Sequence, residues 1–221
     1  MALSKLNYNS LNLTPVADKG IGFDSGADDL EASFSGGSMV FIKKLTASSS
    51  STLSFVNGSS DVVLDSTYPI YRFEFINIHT SQDNTQFQFN CSSDSGSNYN
   101  VTKTTTHFYA YHNEGGSDPA LTYAGGSDLA QSTSAQPLGI GLGTDNDQNL
   151  SGEMFLYSPS STTFVKHFIA RTNNYMYHEY TLDSYSGGYM NTSSVVNAVQ
   201  FSMNSGNIDS GTIKLYGIKD S

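Results

Sequence analysis

Charged side chains and cysteine are both scarce in this sequence, and each shortage excludes a class of protein. Only 14% of the 221 residues are charged, while Ser, Thr, Asn and Gly are abundant, so most of the polar surface must be uncharged. The 10 Lys and Arg residues are scattered along a chain of net charge −10, which disfavours partners with a phosphate backbone. The single cysteine, Cys91, excludes an intramolecular disulfide framework, and its place in QFQFNC predicts a buried thiol.

Long apolar segments are missing as well. No stretch approaches the roughly 18 apolar residues that mark a membrane-spanning helix. The opening MALSKLNYNS lacks the apolar run of about 7 to 15 residues that a signal peptide requires. The uncharged polar composition is nevertheless typical of extracellular or virion β-proteins. A virion protein that is made in the host cytoplasm and released by lysis satisfies both observations, so we expect no membrane partner.

Aromatic residues are plentiful, and their pattern predicts strands. The chain has 14 Tyr and 13 Phe, interleaved with Ser, Thr and Asn, which favours strands over helices. In TQFQFNCS, Phe87, Phe89 and Cys91 alternate strictly with Gln and Asn, as in a half-buried strand. THFYAYH repeats the pattern, with Phe108 opposite Tyr109.

Roughly eight to twelve such segments, without an interleaved helical pattern, predict an all-β fold. We expect an antiparallel β-sandwich or jelly roll over residues 36–221, with a β-barrel as the alternative. Residues 1–35 show no sustained period and predict an extended N-terminal arm or attachment segment. The glycine-rich stretch 114–149 is too long for an ordinary connection, so it should hold short strands or a surface excursion. The closing GTIKLYGI has apolar residues on both faces, which predicts a strand inside the sandwich beside NAVQFSMN.

One segment offers oxygen ligands for a metal. Asp145, Asp147 and Asn149 alternate in GTDNDQN, as at the start of a calcium loop. An EF-hand loop counted from Asp145 would need Gly and Glu where this chain has Leu150 and Leu156. We prefer an Asp/Asn-rich turn, and we predict no metal or other cofactor.

A tyrosine-rich segment offers a binding surface. Exposed tyrosines can pack against sugars or partner proteins, while alternating tyrosines can equally line the face and rim of a sandwich. We predict no catalytic residues: there is no GxSxG elbow, and the carboxylate pair of a polysaccharide-cleaving tailspike could be chosen freely from 20 acidic residues. The candidate glycan or partner surface comprises Tyr175, Tyr177, Tyr180, Tyr185 and Tyr189.

Both ends of the chain resemble phage proteins. The opening MALSKLN resembles the start of many virion proteins from marine tailed bacteriophages. The ending VVNAVQFSMNSGNIDSGTIKLYGI is similar to the C-terminal ending of a group of phage structural proteins. The segments YPIYRFEFINIH, FNCSSDSGSNYNVTKTTTHFYAYH and MFLYSPSSTTFVKHFIA also resemble that group, so the resemblance spans most of residues 53–218.

This resemblance implies a β-sandwich that is oligomeric and exposed on the virion. The function we expect is that of a non-enzymatic structural protein, as a capsid decoration, head fibre or tail appendage. Its arm would bind other capsid or tail proteins, and homo-oligomers are common in symmetric particles. The alternative is a lectin-like adhesin that binds a host surface glycan through residues 114–149 or the tyrosine-rich segment.

Overall fold

A computed structural model describes residues 19–23, 30–35 and 37–220, and this part of the chain contains β-strands without any helix. Accordingly, it holds no helix that could cross a membrane. The described ranges contain fourteen strands, more than the sequence predicted. Their bounds are β1 Lys19–Phe23, β2 Leu30–Ser35, β3 Met39–Thr46, β4 Thr52–Val56, β5 Ile70–Thr80, β6 Thr85–Ser92, β7 Lys103–Asn113, β8 Ala120–Tyr123, β9 Gln136–Leu142, β10 Leu150–Tyr157, β11 Lys166–Tyr175, β12 Tyr180–Met190, β13 Ala198–Met203 and β14 Ile208–Ile218.

The chain divides into two compact units, Met1–Val40 and Phe41–Ser221. In the first unit, β1 and β2 form an antiparallel hairpin in which Lys19 pairs with Ser35. This hairpin was not predicted, although Leu30, Ala32 and Phe34 alternate with polar residues in β2. The rest of the predicted N-terminal arm, including residues 1–18, lies outside the described residues.

The second unit is an antiparallel β-sandwich, as predicted. Its larger sheet has eight strands in the order β3-β14-β5-β10-β11-β12-β7-β8, and its smaller sheet has four in the order β4-β13-β6-β9. The stretch 114–149 holds the two short strands β8 and β9, which confirms that expectation. A jelly-roll connectivity stays a prediction.

Aromatic rings from both sheets meet in the core at one end of the sandwich. Strict alternation buries Tyr71, Phe73 and Phe75 of β5, because successive side chains of a strand point to opposite faces. The ring of Phe201 in β13 is central to this cluster and is fully buried. Its centroid lies 5.2–6.5 Å from those of five other rings, those of Phe55, Phe73, Phe75, Phe87 and Phe89.

The C-terminal strand β14 is locked inside the larger sheet, between β3 and β5. Ile213 and Leu215 are fully buried on its core side, and Gly217 leaves room for the ring of Tyr68. The predicted neighbour, NAVQFSMN, was wrong, because β13 lies in the smaller sheet between β4 and β6. The two strands contribute apolar faces to the core from opposite sheets, and alternation alone does not distinguish a facing strand from a paired one.

The core at the other end of the sandwich is polar. Buried side chains of β11 and β12 donate to the carbonyl groups of the edge strand β9: Ser186 to Pro137 at 3.1 Å and Asn174 to Ile140 at 3.2 Å. These bonds pair polar groups inside the sandwich, and buried polar groups are costly when left unpaired. The edge of the smaller sheet is thereby fixed against β11 and β12.

Candidate functional site

The five predicted tyrosines do not form one surface, although all are half-buried. Tyr175 in β11 and Tyr185 and Tyr189 in β12 lie on the outer face of the larger sheet, because the neighbouring residues in each strand are buried. Tyr177 lies in the turn between β11 and β12, with its ring centroid 3.7 Å from that of His178. Only Tyr180 turns toward the interior of the sandwich, and there it joins residues that the sequence had not grouped with it.

A cavity of about 300 Å³ opens where Tyr180 points inward, and we call it the tyrosine cavity. It lies beside the edge strand β9, which packs against β11 and β12. The larger sheet continues past β12 with β7 and β8, so inward side chains near the end of β7 line a cavity rather than the core. Its lining residues are Tyr109, Tyr111, Asp118, Ile140, Met176, His178, Tyr180 and Leu182.

Two parts of the chain that the sequence had proposed separately for glycan binding meet in the tyrosine cavity. Asp118 and Ile140 come from the stretch 114–149, and Met176, His178 and Tyr180 from the tyrosine-rich segment. The side-chain oxygen Oδ1 of Asn113 accepts hydrogen bonds from the backbone N–H groups of Ser117 and Asp118, at 2.9 and 3.1 Å. These two bonds position the exposed carboxylate of Asp118 at the cavity.

Three tyrosine rings form the wall of the cavity. Tyr109 and Tyr111 project from the same face of β7, with ring centroids 6.0 Å apart, and Tyr111 meets Tyr180 edge-to-face at 5.8 Å. The hydroxyl of Tyr180 donates to Asp118 Oδ2 at 3.2 Å. This hydrogen bond and burial raise the pKa of Tyr180.

The charge around the tyrosine cavity is negative. No Lys or Arg is among the residues that line it, whereas Asp118 is. On the outer face nearby, burial raises the pKa of Tyr175, and the carboxylates of Glu114, Glu179 and Asp147 raise it further. An anionic ligand would therefore meet repulsion at this end of the sandwich.

The outer face of the larger sheet carries a second arrangement, which we call the outer-face row. One residue from each of seven neighbouring strands stands in register, so that a charged half adjoins an aromatic half. The row runs Lys214, Glu74, Glu153, Arg171, Tyr185, Phe108 and Tyr123.

Arg171 joins the two halves of the outer-face row. Its guanidinium donates to both carboxylate oxygens of Asp183, at 3.1 and 2.8 Å, and lies 5.1 Å from the ring centroid of Tyr185. The ring of Tyr185 stacks on that of Phe108 at 5.0 Å. Phe108 is thus on the exposed face of β7, while the neighbouring His107 is buried, a placement that alternation alone did not decide. Arginine and tyrosine are frequent at the energetic centre of protein interfaces, so this row is a candidate partner surface.

The candidate metal residues Asp145, Asp147 and Asn149 lie in the turn between β9 and β10. Gln148 organises this turn: its backbone N–H donates to the Asp145 carbonyl at 2.9 Å, and its side-chain oxygen accepts from the Asp145 N–H at 3.3 Å. Within residues 37–220, no group of three or more His, Cys, Asp or Glu side chains could hold a metal ion. The preference for an Asp/Asn-rich turn without a metal stays a prediction.

Sequence reasoning missed Tyr109, Tyr111 and Asp118 as members of a site. The two tyrosines alternate in HFYAYH and were recognised only as one face of a strand. Their common orientation could therefore have been read from the sequence, but their proximity to Asp118 depends on how β8 and the turn before it fold back.

The chain matches no protein-family model, no curated protein and no solved structure.

Proposed function

We propose that this protein is a non-enzymatic structural protein of a tailed-phage virion, with its β-sandwich exposed on the particle as a capsid decoration, head fibre or tail appendage. The observation that carries the proposal is the resemblance over residues 53–218. The segments that carry it form paired strands of both sheets, among them β5, β7, β11 and β14 of the larger sheet and β13 of the smaller. The resemblance thus concerns the framework of the sandwich rather than one surface loop.

The composition supports the same role. A surface dominated by uncharged polar residues on an all-β domain is typical of proteins exposed on particles. Residues 1–35 would attach the sandwich to capsid or tail proteins, and symmetric particles favour self-association of such units. The outer-face row, with Arg171 beside exposed aromatic rings, is the surface that we would test first for contacts between copies.

Mass spectrometry of purified particles of the phage that encodes the chain tests this proposal. We expect its peptides in the particle, and absence from pure particles would refute the structural role. Copy number would then distinguish the locations, since hundreds of copies indicate capsid decoration and a few dozen or fewer indicate a tail or fibre. Deletion of residues 1–35 should abolish incorporation without changing the thermal unfolding midpoint of the sandwich.

A second candidate function is recognition of a host surface glycan, and one observation favours it. The tyrosine cavity brings the two sequence segments proposed for glycan binding into one site. Purified protein should then compete with phage for adsorption to host cells. Adsorption that is unchanged at saturating protein, and unchanged for phage carrying Tyr111→Ala, would refute a receptor-binding role while leaving the structural role intact.

A further inference from the structure

We propose that the tyrosine cavity binds a single uncharged pyranose ring, with the three tyrosines packing against its C–H faces and Asp118 accepting bonds from its hydroxyl groups. This inference rests on the second candidate function, glycan recognition, and it names the ligand class and the residues.

The size of the tyrosine cavity suits a small ligand. Its volume of about 300 Å³ stands at the lower end of the range of roughly 300 to 1,000 Å³ that small-molecule sites occupy. That volume accommodates one monosaccharide rather than several. The rim residues His178 and Asp118 are exposed, so the rest of a longer glycan could continue into solvent.

The wall consists of three tyrosine rings set at angles to one another, 43° between Tyr109 and Tyr111 and 62° between Tyr111 and Tyr180. Tyr109 and Tyr111 lie side by side, two residues apart on one face of β7, and Tyr180 extends this wall from β12. Aromatic rings present apolar faces, while their hydroxyl groups bond at the rim. Tyrosine also loses little conformational entropy when it contacts a ligand, because its side chain has few rotatable bonds.

The polar groups are of the kind that recognises hydroxyls. Asp118 accepts one bond from Tyr180 through Oδ2, and an ionised carboxylate has about four lone-pair sites. It can therefore accept from a sugar hydroxyl while it still holds Tyr180. Ile140 and Leu182 supply apolar contact at the floor of the cavity.

The charge selects among ligands. The absence of Lys and Arg from the lining, together with the carboxylate of Asp118, disfavours uronic acids, sialic acids and sugar phosphates. A carboxylate beside aromatic rings would also suit an organic cation. A cation is therefore the alternative outcome of the titration, with choline as its probe.

Titration of the purified full-length protein with methyl glycosides tests the proposal. The chain has no tryptophan, so its fluorescence comes from tyrosine, and NMR shifts of the ligand provide a second readout. The probes are the methyl α- and β-pyranosides of glucose, galactose and mannose, and N-acetylglucosamine. We expect saturable binding of at least one, with a Kd of order 1 mM. Glucuronate should not bind.

Variants locate the binding site. Tyr111→Ala should raise the Kd at least tenfold, and Asp118→Asn, which lies in an exposed turn and preserves shape, should raise it severalfold. Tyr189→Ala, on the outer face of β12, is the matched control and should bind like the wild type. Thermal unfolding of each variant establishes that it is folded.

Three results would overturn the proposal: no saturable binding of any glycoside up to about fifty times the expected Kd, binding of choline but of no saccharide, or saccharide binding that Tyr111→Ala and Asp118→Asn leave unchanged.

These outcomes are separable from those of the adsorption experiment. Adsorption that depends on the protein, combined with no glycoside binding, would reject the pyranose and retain host recognition. Glycoside binding without any effect on adsorption would retain the pyranose site and reject host recognition.

Discussion

Lys103 is fully buried at the start of β7, and this makes the stability of the protein depend on pH. Its ammonium group donates to Asn90 Oδ1 at 2.6 Å and to the Val101 carbonyl at 2.8 Å. Neither acceptor carries a formal charge, so these bonds compensate only part of the lost hydration. Burial lowers the pKa of Lys103 from 10.5 to about 8, and the nearby Cys91 opposes this shift.

The direction of the effect follows from proton binding in the two states. At pH 7 Lys103 is protonated whether the chain is folded or unfolded, and the folded state bears the full cost of the buried charge. A fall in pKa from 10.5 to about 8 corresponds to roughly 3 to 4 kcal/mol at roughly 1.4 kcal/mol per pKa unit. As pH rises above 7.5, the folded state releases the proton first, so the free energy of unfolding increases. Roughly 1 kcal/mol of this gain should appear between pH 7 and pH 9.

The gain must be measured no higher than pH 9. Burial raises the pKa of the Cys91 thiol to about 12 and that of Tyr71 to about 12. Both groups stabilise the folded state while they stay protonated in it, and their contributions decline above pH 9 and pH 10, respectively, as the unfolded chain ionises. These losses have the opposite sign to the effect of Lys103.

Urea unfolding at pH 7 and pH 9 measures the effect in the wild type, in Lys103→Met and in the control Lys44→Met. Methionine removes the charge at similar length, and Lys44 is an exposed residue of β3. The free energy of unfolding of the wild type and of Lys44→Met should rise by about 1 kcal/mol more than that of Lys103→Met. If Lys103→Met retains the same rise, Lys103 does not carry the shifted titration and the reasoning is refuted.

Three further predictions concern packing and the buried thiol. Phe201→Ala should lower the free energy of unfolding by about 3 to 5 kcal/mol in urea titrations, because it leaves a cavity among the core rings; a loss below about 1 kcal/mol would contradict that packing. Gly217→Ala should cost about 1 to 3 kcal/mol, since the added Cβ would overlap the ring of Tyr68, whereas the control Gly126→Ala meets no neighbour within 4 Å and should be nearly neutral. Cys91 should react with a thiol reagent only as the protein unfolds, because it is fully buried with a raised pKa, and fast labelling of the native protein would disprove this.

The strands and their buried faces could be predicted because they depend on local information. Alternation with period two assigns Phe87 and Phe89 to the core whatever strand pairs with theirs, and both are fully buried. Scarcity of helix-forming patterns likewise predicted the all-β class. The hairpin of β1 and β2 was missed, although LEASFS alternates strictly, because two glycines weaken the strand pattern of KGIGF, its partner.

The site depends on contacts between residues far apart in sequence. The tyrosine-rich segment was singled out for its aromatic side chains, yet its members separate between the outer face and the interior, and Tyr180 alone joins Tyr109 and Tyr111. No local pattern states that β12 lies beside β7, or that the turn after β7 brings Asp118 to the mouth of the same cavity.

The sequence by itself determined that this chain forms strands, which faces of those strands are apolar, and that its surface is largely uncharged, since each follows from side-chain type and short-range order. Only the tertiary structure decided which strands pair and which face each other across the core. The apolar faces of β13 and β14 fit either arrangement equally well, and the choice between them rests on the packing of the whole sandwich. The tyrosine cavity arises from that same choice, because it exists where the eight-stranded sheet extends beyond the four-stranded one.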